Sequence, residues 1–310
     1  MTTPLPLWLA PAVVASVLAP AVYLTWVLDR WVGARVAGRR TSLGQTLASP
    51  LAEAAQLMLQ SSPRAERPDR VTWLLAPASL SGLAVVAVAT VPLGPMLHIA
   101  DAPGGIVLFG AAIALVMVAV FLHGWSANSL FPLMGGYRFI ALALSFEMPL
   151  ALVLIAAALP AESLRFSDIV QSQVDVWNVV RQPLGLPLYL IATLGASFWG
   201  PLAFPDAPDL AGGTTAESSG AALLVWTAAR YALLVALCAV GAAVFLGGWL
   251  GPGLPGPIWL AFKTAGLVAT VVVIGHHVAR VRLEDFVVVA WTVLIPLALV
   301  DVFLSGLLVL

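Results

Sequence analysis

SGAALLVWTAARYALLVALCAVGAAVFLG, residues 219–247, holds one charged side chain, Arg230, in 29 positions. A helix crosses about 30 Å of hydrocarbon with about 20 mostly apolar residues at 1.5 Å rise each. Working outward, seven further stretches meet that test: about 7–28, 72–96, 104–123, 138–160, 184–203, 257–278 and 286–308. The third and fifth in chain order, 104–123 and 184–203, have the softest edges. The composition agrees, with 61% of the 310 residues hydrophobic and only 9% charged, and a mean hydropathy of +1.01. A soluble domain carries roughly a quarter charged residues. So few charges cannot coat a water-facing surface of this size, and the solvent for most of the chain is lipid. The expected fold is all-α and integral to the membrane: one polytopic domain over 1–310 with about eight transmembrane helices.

Composition also excludes several functions. The net charge of −1 lacks the basic excess that nucleic-acid binding requires. The single cysteine, Cys238, lies in an apolar run. It forms no internal disulfide, and one thiolate cannot hold an iron–sulfur cluster, which needs about four. Met1 to Thr3 has no positive n-region, so the first apolar run reads as a retained helix. Trp8, Trp26, Trp73, Trp177, Trp249 and Trp259 fall near proposed helix ends, where interfacial anchoring places them.

Lys and Arg near helix ends set the expected orientation. Loop 1, about 29–71, carries Arg30, Arg35, Arg39, Arg40, Arg64, Arg67 and Arg70; Arg138, Arg280 and Arg282 fall on the same face if there are eight spans. The opposite face has Arg165 and Arg181. The ten-arginine face is expected to be cytoplasmic, with both termini outside and the chain in the inner membrane. Within loop 1, Leu47, Leu51, Ala54, Ala55 and Leu57 recur at helical spacing, so Leu43–Gln60 is expected to form a cytoplasmic surface helix between helices 1 and 2.

Four ionisable groups fall at membrane depth: Glu147, Arg230, Lys263 and Asp301. Each costs roughly 2.5–3.5 kcal/mol on insertion scales and belongs in the bundle interior. Glu147 is nine residues past Arg138, roughly 13 Å deep, and Arg230 lies roughly 16 Å deep from the same side. Lys263 and Asp301 are each nineteen residues from Arg282, which puts them near one level. Two pairs are expected, Glu147 with Arg230 and Lys263 with Asp301. Such pairs either hold the bundle together or form a polar axis that carries protons and responds to a charged intermediate.

Several segments, in order, carry a resemblance. His123-Gly-Trp-Ser-Ala-Asn-Ser-Leu-Phe-Pro-Leu-Met-Gly135 is followed by Arg138 and by Ser145-Phe146-Glu147. Gly213-Thr-Thr-Ala-Glu217-Ser-Ser-Gly220 opens helix 6, and Pro257-Ile-Trp-Leu-Ala-Phe-Lys263-Thr opens helix 7. Arg280-Val-Arg282-Leu-Glu-Asp285, then Trp291 and Pro296, complete the set. Together they resemble the H-type subunit of bacterial NADH–quinone oxidoreductase (complex I), the mitochondrial subunit 1 family.

The resemblance implies a membrane subunit of a proton-translocating quinone reductase that carries no cofactor of its own. Quinone would be its substrate, reduced in a chamber shared with peripheral partners, with helix 1, the surface helix and helix 6 bordering the lipid-facing opening. Iron–sulfur, flavin and NADH chemistry would reside in those partners, and neighbouring membrane subunits would receive the energy. The matching motifs place Asp29, Glu53, Arg138, Glu147, Asp206, Asp209, Glu217, Lys263, Arg282 and Asp285 in the chamber and its coupling path; Arg230 and Asp301 join them as intramembrane charges. Carboxylates of this kind answer a developing anion by shifting pKa.

The sequence departs from the family pattern in several places. Gly-Pro-Asn-Arg after helix 1 is not legible in Arg35-Val-Ala-Gly-Arg-Arg40. The Glu-Arg that ends helix 1 is Asp29-Arg30, and Gln56 and Leu130 stand where lysines are usual. The acidic loop before helix 6 is thinned to Phe204-Pro-Asp206-Ala-Pro-Asp209, and Arg230 stands where the family carries Glu. This basic character also resembles the membrane anchor subunit of energy-converting nickel–iron hydrogenases. A stand-alone transporter is the reading from a different class, with the same buried charges lining a path.

Three weaker signals remain. His276 and His277 point about 100° apart on a helix with no third ligand in sight, so they read as a polar helix end rather than a metal site. His98 and His123 read as interfacial. Gly251-Pro-Gly-Leu-Pro-Gly256 lacks the Lys-Ser/Thr of a phosphate loop and reads as a turn.

Overall fold

In the computed structural model, which describes residues 10–60, 68–95 and 97–309, apolar periodicity becomes an all-helical bundle. Trp8, Arg64 and Arg67 lie outside the described residues. The long helices are α1 (Ala10–Val36), α3 (Arg70–Ala89), α4 (Gly105–Ser126), α5 (Leu130–Ala158), α9 (Gly220–Phe245) and α10 (Gly256–His277). A further long segment runs through α11 (Leu283–Val289), a π turn at Ala290–Leu294, and α12 (Ile295–Val309). By length and composition these make seven membrane spans, and the chain is a multi-pass membrane protein. Phe262 and Phe303 are 71% and 67% exposed on the outside of the bundle, which is tolerable only in hydrocarbon.

The expected surface helix is α2 (Leu43–Leu59), started by a capping box in which Ser42 and Gln45 satisfy each other's backbone N–H groups. Asp69 caps α3 by accepting from the N–H groups of Val71 and Thr72. α9 is the axis of the bundle. From Tyr231 to Phe245 every residue is buried, the mark of a helix that is apolar all round. α3, α10, α1 and α2 all pack on it.

The fifth expected span departs from the sequence reading. Of the apolar run 184–203, only α8 (Gly185–Ala196) is α-helical, about 18 Å of helix. The chain nevertheless passes from one face to the other here. Gly185 lies against Phe245 at the far end of α9, while Gly200 lies against Gly275 near the end of α10. The helix stops in a Schellman turn: the Trp199 N–H donates to the Leu194 carbonyl and the Phe198 N–H to the Gly195 carbonyl. Phe198 takes the left-handed position usually held by glycine, with φ of 41°, and Gly200, itself left-handed, leads into a single 3-10 turn at Gly200–Leu202 rather than an α-helix. Non-helical backbone at this depth is stable because it is wrapped in protein; Phe198 is fully buried.

Boundaries differ elsewhere too. α5 begins at Leu130, eight residues before the expected 138, so the His123–Gly135 segment is two helix ends around a short turn at Ala127–Ser129. Asn128 turns the chain with φ of 49°.

At the face opposite the arginine-rich one, the segment before α8 is tied down by buried amides. Gln173 donates to the carbonyls of Ile169 and Ala243, Asn178 to Val244, and Gln182 to Ala156. Lys263 closes the same end. Its ammonium donates to the carbonyls of Gly248 and Leu250 at 3.1 and 2.6 Å and lies over the rings of Trp177 and Trp259. Lys263→Met leaves both carbonyls short of a donor and is expected to destabilise the protein by about 2–4 kcal/mol. Denaturant titration in mixed micelles should show that loss with turnover per assembled complex unchanged. Unchanged stability with lost turnover would make Lys263 a conducting group instead.

Candidate functional site

Helices α1, α2, α9 and α10 and the turn after α8 enclose a polar cavity of about 530 Å³. Asp29 and Arg30 come from α1, Glu53 from α2, and Thr227, Arg230 and Tyr231 from α9. These α9 residues fall at i, i+3 and i+4, one face of the helix. Gly275 and His276 end α10, Trp199, Gly200 and Ala203 form the turn, and Val278 and Arg280 close the rim.

Asp29 is the hub. It accepts from the Tyr231 hydroxyl at 2.8 Å and lies 2.7 Å from His276 Nε2. Gly33 makes room for that imidazole, since a Cβ there would be 3.0 Å from His276 Cε1. Glu53 pairs with Arg30 and accepts from the Trp26 indole at 3.1 Å, which clamps α2 to α1. Trp26 stacks on Tyr231 at 5.2 Å. Beyond Leu28 the seam between α1, α9 and α10 opens as a second, apolar cleft of about 550 Å³.

Arg230 serves backbone and carboxylate together. It donates to the carbonyls of Ser197 and Phe198 at 3.3 and 2.6 Å and to Asp206 at 3.5 Å. Its guanidinium lies 4.7 and 4.8 Å from the Phe198 and Trp199 rings. Asp206, in the loop before α9, also accepts from the Thr214 hydroxyl. Burial raises the Asp206 carboxyl above the usual range, while Arg230, Thr214 and Arg280 pull it back down.

Both expected intramembrane pairs are corrected. Arg230 pairs with Asp206, not Glu147, whose Oε1 is buried without a partner. The end of α8 stands between them, with Phe146 against Gly195 and Arg230 on Ser197. Lys263 binds the turn at Gly248–Leu250, whereas Asp301 lies beside Gly185, its Oδ2 buried and unpartnered. Phe245 beside Asp301 and Gly248 beside Lys263 fix a common depth. The helices that carry them are not packing neighbours, since α10 lies on α9 and α1 while α12 lies on α5 and α8, so the charges do not meet.

The remaining expected residues are spread along the arginine-rich face. Arg138 pairs with Asp209 at 2.7 Å, and Glu217 accepts from Ser129 at 3.1 Å. Arg282 and Asp285 flank the start of α11, and among the described residues neither side chain makes a hydrogen bond. His123, in the last turn of α4, is buried within protein. It is 2% exposed, stacked 3.8 Å from Trp226, with Nε2 3.3 Å from the Ser218 hydroxyl. His276 and His277 diverge as a helix requires, one onto Asp29 and the other back onto the Val273 carbonyl.

Residues 9–306 match the family model described as NADH dehydrogenase. The chain belongs to that family. It is similar to an H-type NADH-quinone oxidoreductase subunit of Rhodopseudomonas palustris (strain HaA2), 31% identical over 96% of both chains. The H-type subunit from Geobacter metallireducens is 31% identical over 94% of this chain and 89% of its own. Its counterpart from Anoxybacillus flavithermus is 32% identical over 89% and 83%.

For an NADH dehydrogenase family member, the sequence reading finds Asp29, Glu53 and Arg230 of this cavity and misses Tyr231, His276, Arg280, Arg30 and Trp199 as its lining. A signal exists for two of them. Tyr231 stands one helical turn after Thr227 on the cavity side of α9, and His276 follows Gly275, the glycine that lets the turn after α8 approach.

Proposed function

We propose that this chain is the membrane subunit of an NADH–quinone oxidoreductase-type complex, and that its polar cavity forms part of the chamber in which a partner's iron–sulfur cluster reduces quinone. The observation that carries this is the convergence of Asp29, Glu53, Arg230, Tyr231 and His276 on one cavity between α1, α2, α9 and α10, in a chain of this family. A quinone gains two electrons and two protons on reduction. The Tyr231–Asp29–His276 contacts offer polarisable donors and acceptors to the head group, and Arg30 and Arg280 offset its transient negative charge. The apolar cleft below suits the tail of such an amphiphile. Glu147 and Asp301 carry the released energy onward as proton-exchanging groups toward neighbouring membrane subunits. The arginine-rich face is cytoplasmic, where peripheral partners dock, and both termini lie outside in an inner-membrane protein.

A second reading, an anchor subunit of an energy-converting hydrogenase-like complex, draws support from the loop before α9. Both of its aspartates are neutralised, Asp206 by Arg230 and Asp209 by Arg138. The test is capture of the complex in mild detergent followed by labelling with a photoreactive quinone analogue. Labels are expected on α1 near Asp29, on α2 near Glu53 and on α9 near Tyr231, with flavin- and iron–sulfur-bearing partners in the same particle. Labels confined elsewhere remove the chamber reading. A nickel-bearing partner moves the chain to the anchor class, and a monodisperse, active, partner-free protein makes it a transporter.

A further inference from the structure

α8 is left short of the membrane face it must reach, and its last carbonyls need donors from outside the helix. The Schellman turn satisfies Leu194 and Gly195. The carbonyls of Ser197, at the cap, and Phe198, in the turn beyond it, point at Arg230 instead. An unsatisfied carbonyl at this depth costs about 1–3 kcal/mol, and a guanidinium presents five donors in a fixed fork. The fork spans both carbonyls while its face lies on the two aromatic rings of the same turn. It also ends on Asp206, which ties the turn to the loop before α9. Arginine stays protonated in proteins, so a residue at this position that cannot exchange a proton has a different task.

We propose that Arg230 is a positioning residue that stands in for the missing backbone donors of α8 and so holds the Phe198–Ala203 wall of the polar cavity in place, with Asp206 as its counter-charge. Trp199, Gly200 and Ala203 line the cavity only because this turn is pinned. Removing the guanidinium frees the wall and strands a buried carboxylate at Asp206. The groups facing that carboxylate are Arg230 from α9, Thr214 from its own loop and Arg280 from the segment after α10. Without Arg230 the Asp206 carboxyl rises further. The defect therefore shrinks at low pH, where Asp206 is protonated, and grows as pH rises and it ionises. Lysine keeps the charge but loses the fork.

The test uses the intact complex and rests on the quinone reading only for its kinetic arm. Arg230→Gln is expected to raise the KM for quinone about tenfold, a change of about 1.4 kcal/mol, with kcat held within about twofold and the defect growing with pH. Arg230→Lys should be intermediate, and adding Asp206→Asn to Arg230→Gln should restore part of the loss. A fall in kcat at unchanged KM and at every pH, or a double variant no better than the single one, overturns the proposal. The second arm needs no turnover. In a Cys238→Ala background, maleimide labelling of Ala203→Cys in native membranes should speed up when Arg230 becomes Gln, and an unchanged rate overturns the proposal. A parent complex without quinone turnover, whose labelling still responds to Arg230, removes the quinone reading and leaves the positioning role standing.

Discussion

Replacing Gly200 with alanine is expected to destabilise the protein by about 3–5 kcal/mol, the sum of a strained backbone and an overpacked contact. Gly200 has φ of 53°, a left-handed conformation that costs a residue with a Cβ roughly 1–2 kcal/mol. The added methyl would also lie 2.3 Å from the Gly275 Cα. That atom is backbone of α10, so no side-chain rotation relieves the contact, and either the turn or the helix must shift. The turn carries Trp199 and Ala203, and α10 carries His276, so the polar cavity loses two walls at once. Gly266→Ala on the same helix is the control, because nothing lies within 4 Å of its Cβ position; it is expected to be neutral within about 0.5 kcal/mol. Denaturant titration in mixed micelles, with the yield of assembled complex in mild detergent, separates the two. Equal stability of both variants would show that the approach of the turn to α10 is looser than the geometry requires.

Depth is legible in the sequence and rotation is not. Counting residues along straight helices places Lys263 level with Asp301 and Arg230 level with Glu147, and the structure keeps those levels. Pairing also needs the two helices to be neighbours and their side chains to face each other; α10 packs on α9 and α1, whereas α12 packs on α5 and α8. In a helix apolar all round, such as α9, no hydrophobic stripe reveals which side faces which neighbour. The seven long spans and α2 are readable because hydrocarbon thickness and caps set their length. α8 misleads for the opposite reason. Its run stays apolar to Ala203 because the turn is buried, so hydropathy cannot report that the helix ends at Ala196; only Gly200-Pro201 carries that signal. Arg230 is visible as a costly charge, but its two carbonyl partners are backbone atoms that no residue type discloses. Tyr231 and His276 escape such a reading because a tyrosine within an apolar helix, or a histidine in its last turn, is ordinarily part of the packing. What makes these two functional candidates is their shared partner, Asp29, 202 and 247 residues away in sequence.

The four intramembrane charges divide by what they touch, and that division makes the second large prediction. Lys263 and Arg230 have carbonyls, aromatic rings or a carboxylate around them, so structure accounts for their cost. Glu147 Oε1 and Asp301 Oδ2 are buried with no partner, and packing alone gains nothing from a carboxyl kept at a cost of roughly 2.5–3.5 kcal/mol. Glu147→Gln and Asp301→Asn, alone and together, are therefore expected to assemble as well as the parent, because an unpaired buried charge is being removed rather than a contact. Electron transfer to quinone should persist while the protons moved per electron fall to a small fraction of the parental ratio. The measurement is acidification by reconstituted vesicles, read beside quinone reduction in the same preparation. Lys263→Met supplies the contrast, with lost stability and an unchanged proton ratio. Were the doubly neutralised complex to pump at the parental ratio, Glu147 and Asp301 would be buried polar groups without a role in conduction. Energy would then have to leave the cavity along the arginine-rich face, through the paired loop that Asp206 and Asp209 hold to Arg230 and Arg138.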